Sequence, residues 1–263
     1  MTALVTKTDR LTVVGSSDAF NARGRCHSCY LLEGEGFGPI MIDFGATALH
    51  ALRKIGREPT EIAALAITHL HGDHVGGFPF LVIDGMFHAI RERTLSIVGP
   101  VGVEAKMMAF VDVAYGDIME RPRPCEIEFA ELRPGQEREI AGARVAGFAA
   151  DHMDPPEQPL CLRFTLPSGK VVAFSGDTQM CDGLLAAGDG ADLLVAECSG
   201  LEPPIGRHCT WLDYKRVMPT MTARRLLLTH LGSAVRDRTD DLLAEAPPTT
   251  SLQFADDGLV VEL

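Results

Sequence analysis

An α/β layered protein is the fold class that the sequence predicts, on three observations. Short apolar runs alternate along the chain with stretches of helical periodicity. Five of those runs, MID, AITH, FSGD, VAE and LLTH, finish on one ionisable residue, and in α/β sheets ligands gather at the carboxyl ends of strands. The 263 residues are 46% hydrophobic, which suits a single domain over 1–263 with a large core.

From the amino terminus, RLTVVG (10–15), CYLLE (29–33) and PIMID (39–43) read as strands. ATALHALRKIG (46–56) reads as a helix that sets Ala46, Leu49 and Ile55 toward one side and stops at Gly56. EIAALAITH (61–69) is a buried strand running straight into a histidine cluster. LSIVG (95–99), ARVAGFAA (143–150), LCLRFTL (160–166), KVVAFSGD (170–177), DLLVAE (192–197) and RLLLTH (225–230) follow the same style. Helices are expected over 76–90, 101–116, 211–222 and 235–245. The end, SLQFADDGLVVEL, is expected to fold as a hairpin about Asp257-Gly258. No short-period repeat and no low-complexity segment interrupts the pattern.

Composition narrows the function classes. The net charge is -12, the pI is near 5.2, and no block of lysine and arginine stands out. A broad, sequence-tolerant grip on nucleic acid needs a basic surface, so the global balance argues against one. No stretch approaches the roughly 20 apolar residues of a membrane span. MTALVTKTDR lacks the basic, apolar, small-residue order of a secretory leader. A cytoplasmic location with no membrane partner is therefore expected. Seven scattered cysteines agree with a reducing compartment. CHSC, with Cys26 and Cys29, lacks the second C-x2-C of a zinc ribbon and reads as two ordinary thiols.

The chemistry is concentrated in AITHLHGDHVGG, residues 66–77. His69, His71, Asp73 and His74 follow a strand directly, and a helix core or solvated face has no use for such a set. His69 and His71 can aim two imidazoles at one point, while Asp73 and His74 reach a neighbouring one. Gly72 lets the backbone turn without a Cβ clash. Nitrogen and carboxylate ligands suit zinc, with iron and manganese also compatible. Further ligand types stand at strand ends or in loops as His152, Asp177 and His230.

The order Asp43, THLHGDH, His152, SGDT with Asp177, and His230 resembles the five-motif signature of the metallo-β-lactamase superfamily, over almost the whole chain. The resemblance implies a four-layered αβ/βα sandwich with a dinuclear metal site between two sheets. It implies that His69, His71 and His152 hold one divalent ion, that Asp73, His74 and His230 hold the second, and that Asp177 bridges both. Asp43 is then the aspartate that orients a ligand without binding metal. Two Zn2+ ions, or Mn2+ or Fe2+, lower the pKa of a water between them from about 15.7 toward 7. By the same resemblance Asp73 is expected to lie beside that water, orient it and take its proton.

THLHGDHVGGFPFL, VVGSSDAF and FSGDTQMCDGLLAAGDGADLLVAECSG resemble the ribonuclease Z branch. By that resemblance Glu197 and His208 form a catalytic pair, His208 acting as the general acid. Three departures bear on substrate. Ala196 stands where the branch commonly has histidine, and THLGSAVRDR lacks a Ser-x-Arg-Tyr ending. Only the segment 153–176 separates His152 from Asp177, which leaves no room for a basic arm that grips transfer RNA. The expected activity is that of a dinuclear phosphodiesterase acting on a small or single-stranded phosphodiester rather than folded transfer RNA. A lactone, thioester or other carboxylic ester hydrolase of the same fold is the alternative, and a non-catalytic metal-binding protein a more remote one. A homodimer is compatible with the sequence. Arg25, His27 and Arg207 are candidates for substrate contact, whereas His50 and His88 read as structural or surface residues.

Overall fold

The computed structural model describes residues 8–248 and 251–263. Residues 1–7, most of the stretch read for a leader, lie outside the described residues. In chain order the first half contains β1 (Arg10–Gly15), β2 (Cys29–Gly34), β3 (Phe37–Ile42), α1 (Ala48–Lys54), β4 (Ala64–Ala66), α2 (Gly72–Val75), α3 (Phe78–Phe87), β5 (Leu95–Gly99), α4 (Val103–Met119) and β6 (Ile127–Glu131). The second half contains β7 (Glu137–Ile140), β8 (Ala143–Ala149), β9 (Leu160–Thr165), β10 (Val171–Phe174), α5 (Asp182–Gly188), β11 (Leu193–Glu197), α6 (Trp211–Val217), β12 (Arg225–Thr229), α7 (Ser233–Arg236), α8 (Thr239–Glu245), β13 (Ser251–Phe254) and β14 (Val260–Glu262).

Two seven-stranded sheets result, ordered β14-β1-β2-β3-β4-β5-β6 and β13-β12-β11-β10-β9-β8-β7. Strands β3 to β6 run parallel, as do β10 to β13. Their inner faces meet in a core of Leu11, Ile40, Ile42, Val145, Phe164, Phe174 and Val195, among others. The outer face of the first sheet packs against α1, α3 and α4 through Met41, Leu52, Phe78 and Met107. That of the second packs against α5, α6 and α8 through Leu184, Trp211 and Leu242. The layers are therefore helix, sheet, sheet, helix. Burying each Leu-sized side chain contributes roughly 1.5–3 kcal/mol, so strands covered on both faces hold the framework. No helix among the described residues is long and apolar enough to cross a membrane.

Several expectations need correction. The last segment is not a hairpin: β13 pairs with β12 in one sheet and β14 with β1 in the other. The Asp256–Gly258 turn is held by β1 and its following loop instead of by its own arms. The Asp257 carboxylate accepts from Ser16 N, Ser16 Oγ and Cys26 N at 3.0, 2.8 and 2.9 Å. The expected strand 61–69 pairs only over Ala64–Ala66, because the backbone then turns across the sheet end. The helix expected over 76–90 forms as α3 over Phe78–Phe87, and α2 precedes it across Gly76-Gly77. The one expected over 235–245 is two pieces, α7 and α8. Strands β6 and β7 were not anticipated. They are edge strands with mostly exposed or half-buried side chains, which weakens the apolar signal. PPEQPLCLRFTLPSGK does carry the expected hairpin, since β9 and β10 pair antiparallel.

Candidate metal centre

Every strand that contributes to the site delivers its residue at its carboxyl end. Asp43 follows β3, and His69, His71, Asp73 and His74 follow β4. His152 follows β8, Asp177 follows β10, Glu197 ends β11, and His230 follows β12. Asp43 and His230 turn their side chains inward through left-handed backbone, with φ of 57° and 51°. Such conformations cost non-glycine residues roughly 1–3 kcal/mol and persist where surrounding structure fixes them. Two glycines permit the close approach of the loops. A Cβ on Gly45 would lie 1.8 Å from the Asp73 carbonyl oxygen. One on Gly176, whose φ is +57°, would lie 2.7 Å from Thr68 Cβ.

The histidine tautomers follow from their partners. Thr68 Oγ1 donates to Asp43 Oδ2 at 2.8 Å, so it accepts from His69 Nδ1 at 3.1 Å. His74 Nδ1 donates to the same Asp43 oxygen at 2.7 Å. His152 Nδ1 donates to the Arg207 carbonyl at 3.0 Å. Ser199 Oγ donates to Glu197 Oε2 at 2.7 Å and accepts from His230 Nδ1 at 2.9 Å. In each ring the opposite nitrogen, Nε2, is left as a lone pair aimed inward. His71 instead brings Nδ1 to 3.1 Å from His152 Nε2.

These lone pairs converge in two adjoining groups, His69, His71 and His152 in one, and Asp73, His74, Asp177 and His230 in the other. The ligand atoms within each group all lie within 4.8 Å of one another. Asp177 stands between them. Its Oδ2 is 3.8 Å from His69 Nε2, 3.8 Å from His152 Nε2 and 3.3 Å from His230 Nε2, while Oδ1 is 3.3 Å from His74 Nε2. Asp73 Oδ2 lies 3.3 Å from His74 Nε2 and 3.5 Å from His230 Nε2. Ligand atoms about 2.1 Å from a tetrahedral Zn2+ are separated by about 3.4 Å, so the spacing suits such an ion. His69 Nε2, His74 Nε2, His230 Nε2 and Asp177 Oδ1 are buried with no hydrogen-bond partner among the described residues. Each orphaned group costs roughly 1–3 kcal/mol. Four in one place fit a cation as the missing partner.

The local field favours positive charge. Burial pulls the His230 imidazole down, but the Asp177 charge and the Asp73 carboxylate push it up to about 9. Burial likewise lowers His74, and Asp177 and Asp43 carry it well above its ordinary value. Burial raises the Asp73 carboxyl, yet the adjacent His230 and His74 hold it far below the carboxylate range. Burial and neighbouring histidines keep His69 well below its ordinary value, in the neutral form that binds metal.

Beside this centre, His208 Nδ1 meets Glu197 Oε1 at 2.8 Å. Glu197 is 1% exposed, and also accepts from Thr178 N at 2.9 Å and from Ser199. With Nδ1 committed, Nε2 is the His208 nitrogen left for the adjoining cleft. Burial lowers the His208 imidazole, but its hydrogen bond to Glu197 and that charge outweigh it, so the net shift is upward. The cleft encloses about 410 Å³ and is lined by His71, Asp73, Asp177, His208, Phe20 and Ile205, among others.

The remaining candidates lie elsewhere. Arg25 pairs with Asp256, its Nη2 3.0 Å from Oδ2. His27 is buried, its backbone N donating to Thr47 Oγ1 at 2.8 Å. Neither lines the cleft. The Arg207 guanidinium binds Asp154 Oδ1 at 2.6 Å, and it is the Arg207 carbonyl that reaches the site. His50 is exposed on α1, and His88 is exposed beside Arg53 at 3.0 Å. Sequence reasoning overlooked Thr68 and Ser199, which fix imidazole tautomers; their only signal was position, directly before His69 and two residues after Glu197.

Asp43 gives a first testable consequence. It anchors Thr68 N, Thr68 Oγ1 and His74, and holds the His74 ring against the second group. Asp43→Asn is expected to weaken metal affinity about 10- to 100-fold, as loss of a ligand-orienting carboxylate typically does. Competition with a coloured chelator reads this directly, and unchanged affinity would remove Asp43 from that role.

The comparisons with known proteins agree with this geometry. A family model described as anti-Pycsar protein Apyc1 matches residues 10–245. An uncharacterized protein of Mycobacterium tuberculosis, Rv1339, is 28% identical over 242 residues, covering 90% of this chain and 85% of its own. The ribonuclease Z of Methanothermobacter thermautotrophicus is 26% identical over 307 residues, covering 96% of each. The crystal structure of the metallo-β-lactamase fold protein YhfI from Bacillus subtilis superposes with a TM-score of 0.75 at 22% identity, covering 97% of this chain and 99% of that one. The fold is accordingly that of the metallo-β-lactamases, and the His/Asp cluster lies at the strand ends of that fold.

Proposed function

The chain belongs to the anti-Pycsar protein Apyc1 family, and from that premise we propose that it hydrolyses a cyclic nucleotide, using two divalent ions. His69, His71 and His152 would hold one ion, Asp73, His74 and His230 the other, and Asp177 both. The observation that carries this reading is the placement of both ligand groups and of His208 on one cleft of about 410 Å³. That volume falls in the ~300–1,000 Å³ range of small-molecule sites.

Held there, two divalent ions supply a water of lowered pKa and positive charge facing the phosphate. Ligation requires neutral imidazoles, so with two such ions bound the negative charges of Asp73 and Asp177 would leave the floor of the cleft positive. A phosphodiester carries one negative charge and is drawn to that floor. Asp73 would accept the hydrogen bond that orients the nucleophilic water and take the proton that water gives up, passing it on to solvent. Attack at phosphorus breaks one P–O ester bond of the ring. The departing sugar oxygen then needs a proton, which His208 donates from Nε2 while Glu197 steadies the imidazolium through Nδ1.

Substrate size follows from the same features. Residues 153–159 form a short connection to the β9–β10 hairpin, and the net charge of -12 opposes a polyanion. The purified chain is expected to open 3′,5′-cyclic nucleotides to linear monophosphates and to leave precursor transfer RNA uncut at physiological salt. An assay of both, with a lactone and a thioester in parallel, tests this. Efficient 3′ trimming of the precursor, or faster turnover of the carboxylic substrates, would overturn it.

A further inference from the structure

Phe20 is exposed to 89% at the mouth of the cleft, on the loop between β1 and β2. A single exposed aromatic is ordinary on a protein surface. This one is held in place by an unusual amount of local bonding. Asp18 Oδ1 accepts from Ser17 Oγ, Phe20 N and Ala22 N at 3.0, 3.1 and 3.2 Å. Asn21 and Arg23 adopt left-handed backbone, with φ of 53° and 55°, and Asn21 Nδ2 donates to the Arg25 carbonyl at 2.9 Å. The Arg23 guanidinium binds Asp237, with Nε 2.7 Å from Oδ1, and Arg25 binds Asp256. The loop is thus tied to the segments around α7 and after β13, and its one large apolar side chain is turned to solvent.

The cleft lining is correspondingly two-sided. His71, Asp73, His152, Asp177 and His230 make a polar floor, and Ala19, Phe20 and Ile205 an apolar lip. A ligand that fits both has a phosphate at one end and a flat apolar face at the other. The geometry points to Phe20 as the platform on which the base of a nucleotide substrate stacks, an assignment that rests on the cyclic-nucleotide reading above. Stacking on an aromatic side chain typically strengthens binding by about ten- to a hundred-fold per base and needs no hydrogen-bond readout.

The test compares wild type, Phe20→Ala and Phe20→Trp on a 3′,5′-cyclic nucleotide and on the same ring phosphate lacking its base, each with equal metal content. Phe20→Ala is expected to raise KM for the nucleotide about ten-fold or more with kcat nearly kept. The KM ratio between the two substrates should therefore collapse toward one, and Phe20→Trp should restore it. Phe87→Ala, at a ring exposed to 52% on α3 and outside the cleft, should leave the ratio as in wild type. An exposed ring carries little stability, so unchanged thermal unfolding confirms that folding is intact. Equal KM changes on both substrates, or none on either, would overturn the stacking role while the hydrolase reading stands. A wild-type chain that turns over neither substrate would overturn the hydrolase reading and the stacking role together.

Discussion

Asp177→Ala is expected to cut the metal content from two ions per chain to one or none, and to lower kcat/KM by about 10³-fold or more. The carboxylate lies 3.3–3.8 Å from four imidazole nitrogens drawn from both ligand groups. No other side chain at the site reaches so many of them. On the proposed two-ion reading, its removal would take away one negative charge that offsets the cations, and one ligand from each ion. Several kcal/mol of transition-state stabilisation would rest on those ions, and each 1.36 kcal/mol lost is a factor of ten in rate. The same substitution leaves the sheets intact, because Asp177 lies beyond the end of β10. Elemental analysis beside far-UV circular dichroism separates metal loss from misfolding. Retention of both ions in a folded Asp177→Ala chain would contradict the bridging role.

His208→Ala is expected to keep both ions and to slow an alkyl phosphodiester by about 10²- to 10⁴-fold, the usual worth of a general acid. A nitrophenyl phosphodiester should lose far less, because its leaving group is already stable as an anion near pH 7. Glu197→Gln should show the same bias more weakly. The sign of the pH dependence also follows. Glu197 raises the His208 pKa, so the acid form is retained to higher pH than in an unpaired imidazole and is lost as pH rises through that raised value. On the alkyl substrate the alkaline limb of the wild-type profile should move to lower pH in Glu197→Gln. Equal losses on both leaving groups would place His208 in substrate binding or structure and out of proton transfer.

Several residues of the candidate centre were legible because they close a run that is otherwise apolar. AITH, FSGD, VAE and LLTH interrupt buried runs with one group that a core tolerates only when it is paired. The sheets bring those tips to one edge, which explains why spacing along the chain sufficed to find them. What the sequence hid falls into two kinds. Strands β6 and β7 are mostly solvated, so EIEFAE and EREI carry little of the apolar pattern on which strand reading depends. The closing segment looked like a hairpin because Asp-Gly is a turn signal that says nothing of which sheet each arm joins. Its arms part because Asp257 is bonded to Ser16 and Cys26, more than two hundred positions away. Thr68, Ser199 and Asp18 escaped notice for a related reason. Their work is to orient a neighbour, and a hydroxyl or carboxylate does that only in three dimensions.

The most direct test of a dinuclear phosphodiesterase is a zinc titration of the metal-stripped chain, followed by turnover of a 3′,5′-cyclic nucleotide. Activity should be near zero without metal, rise as both ligand groups fill, and level off at two equivalents per chain with a linear monophosphate as product. A plateau at one equivalent, or full turnover by the stripped chain, would contradict it.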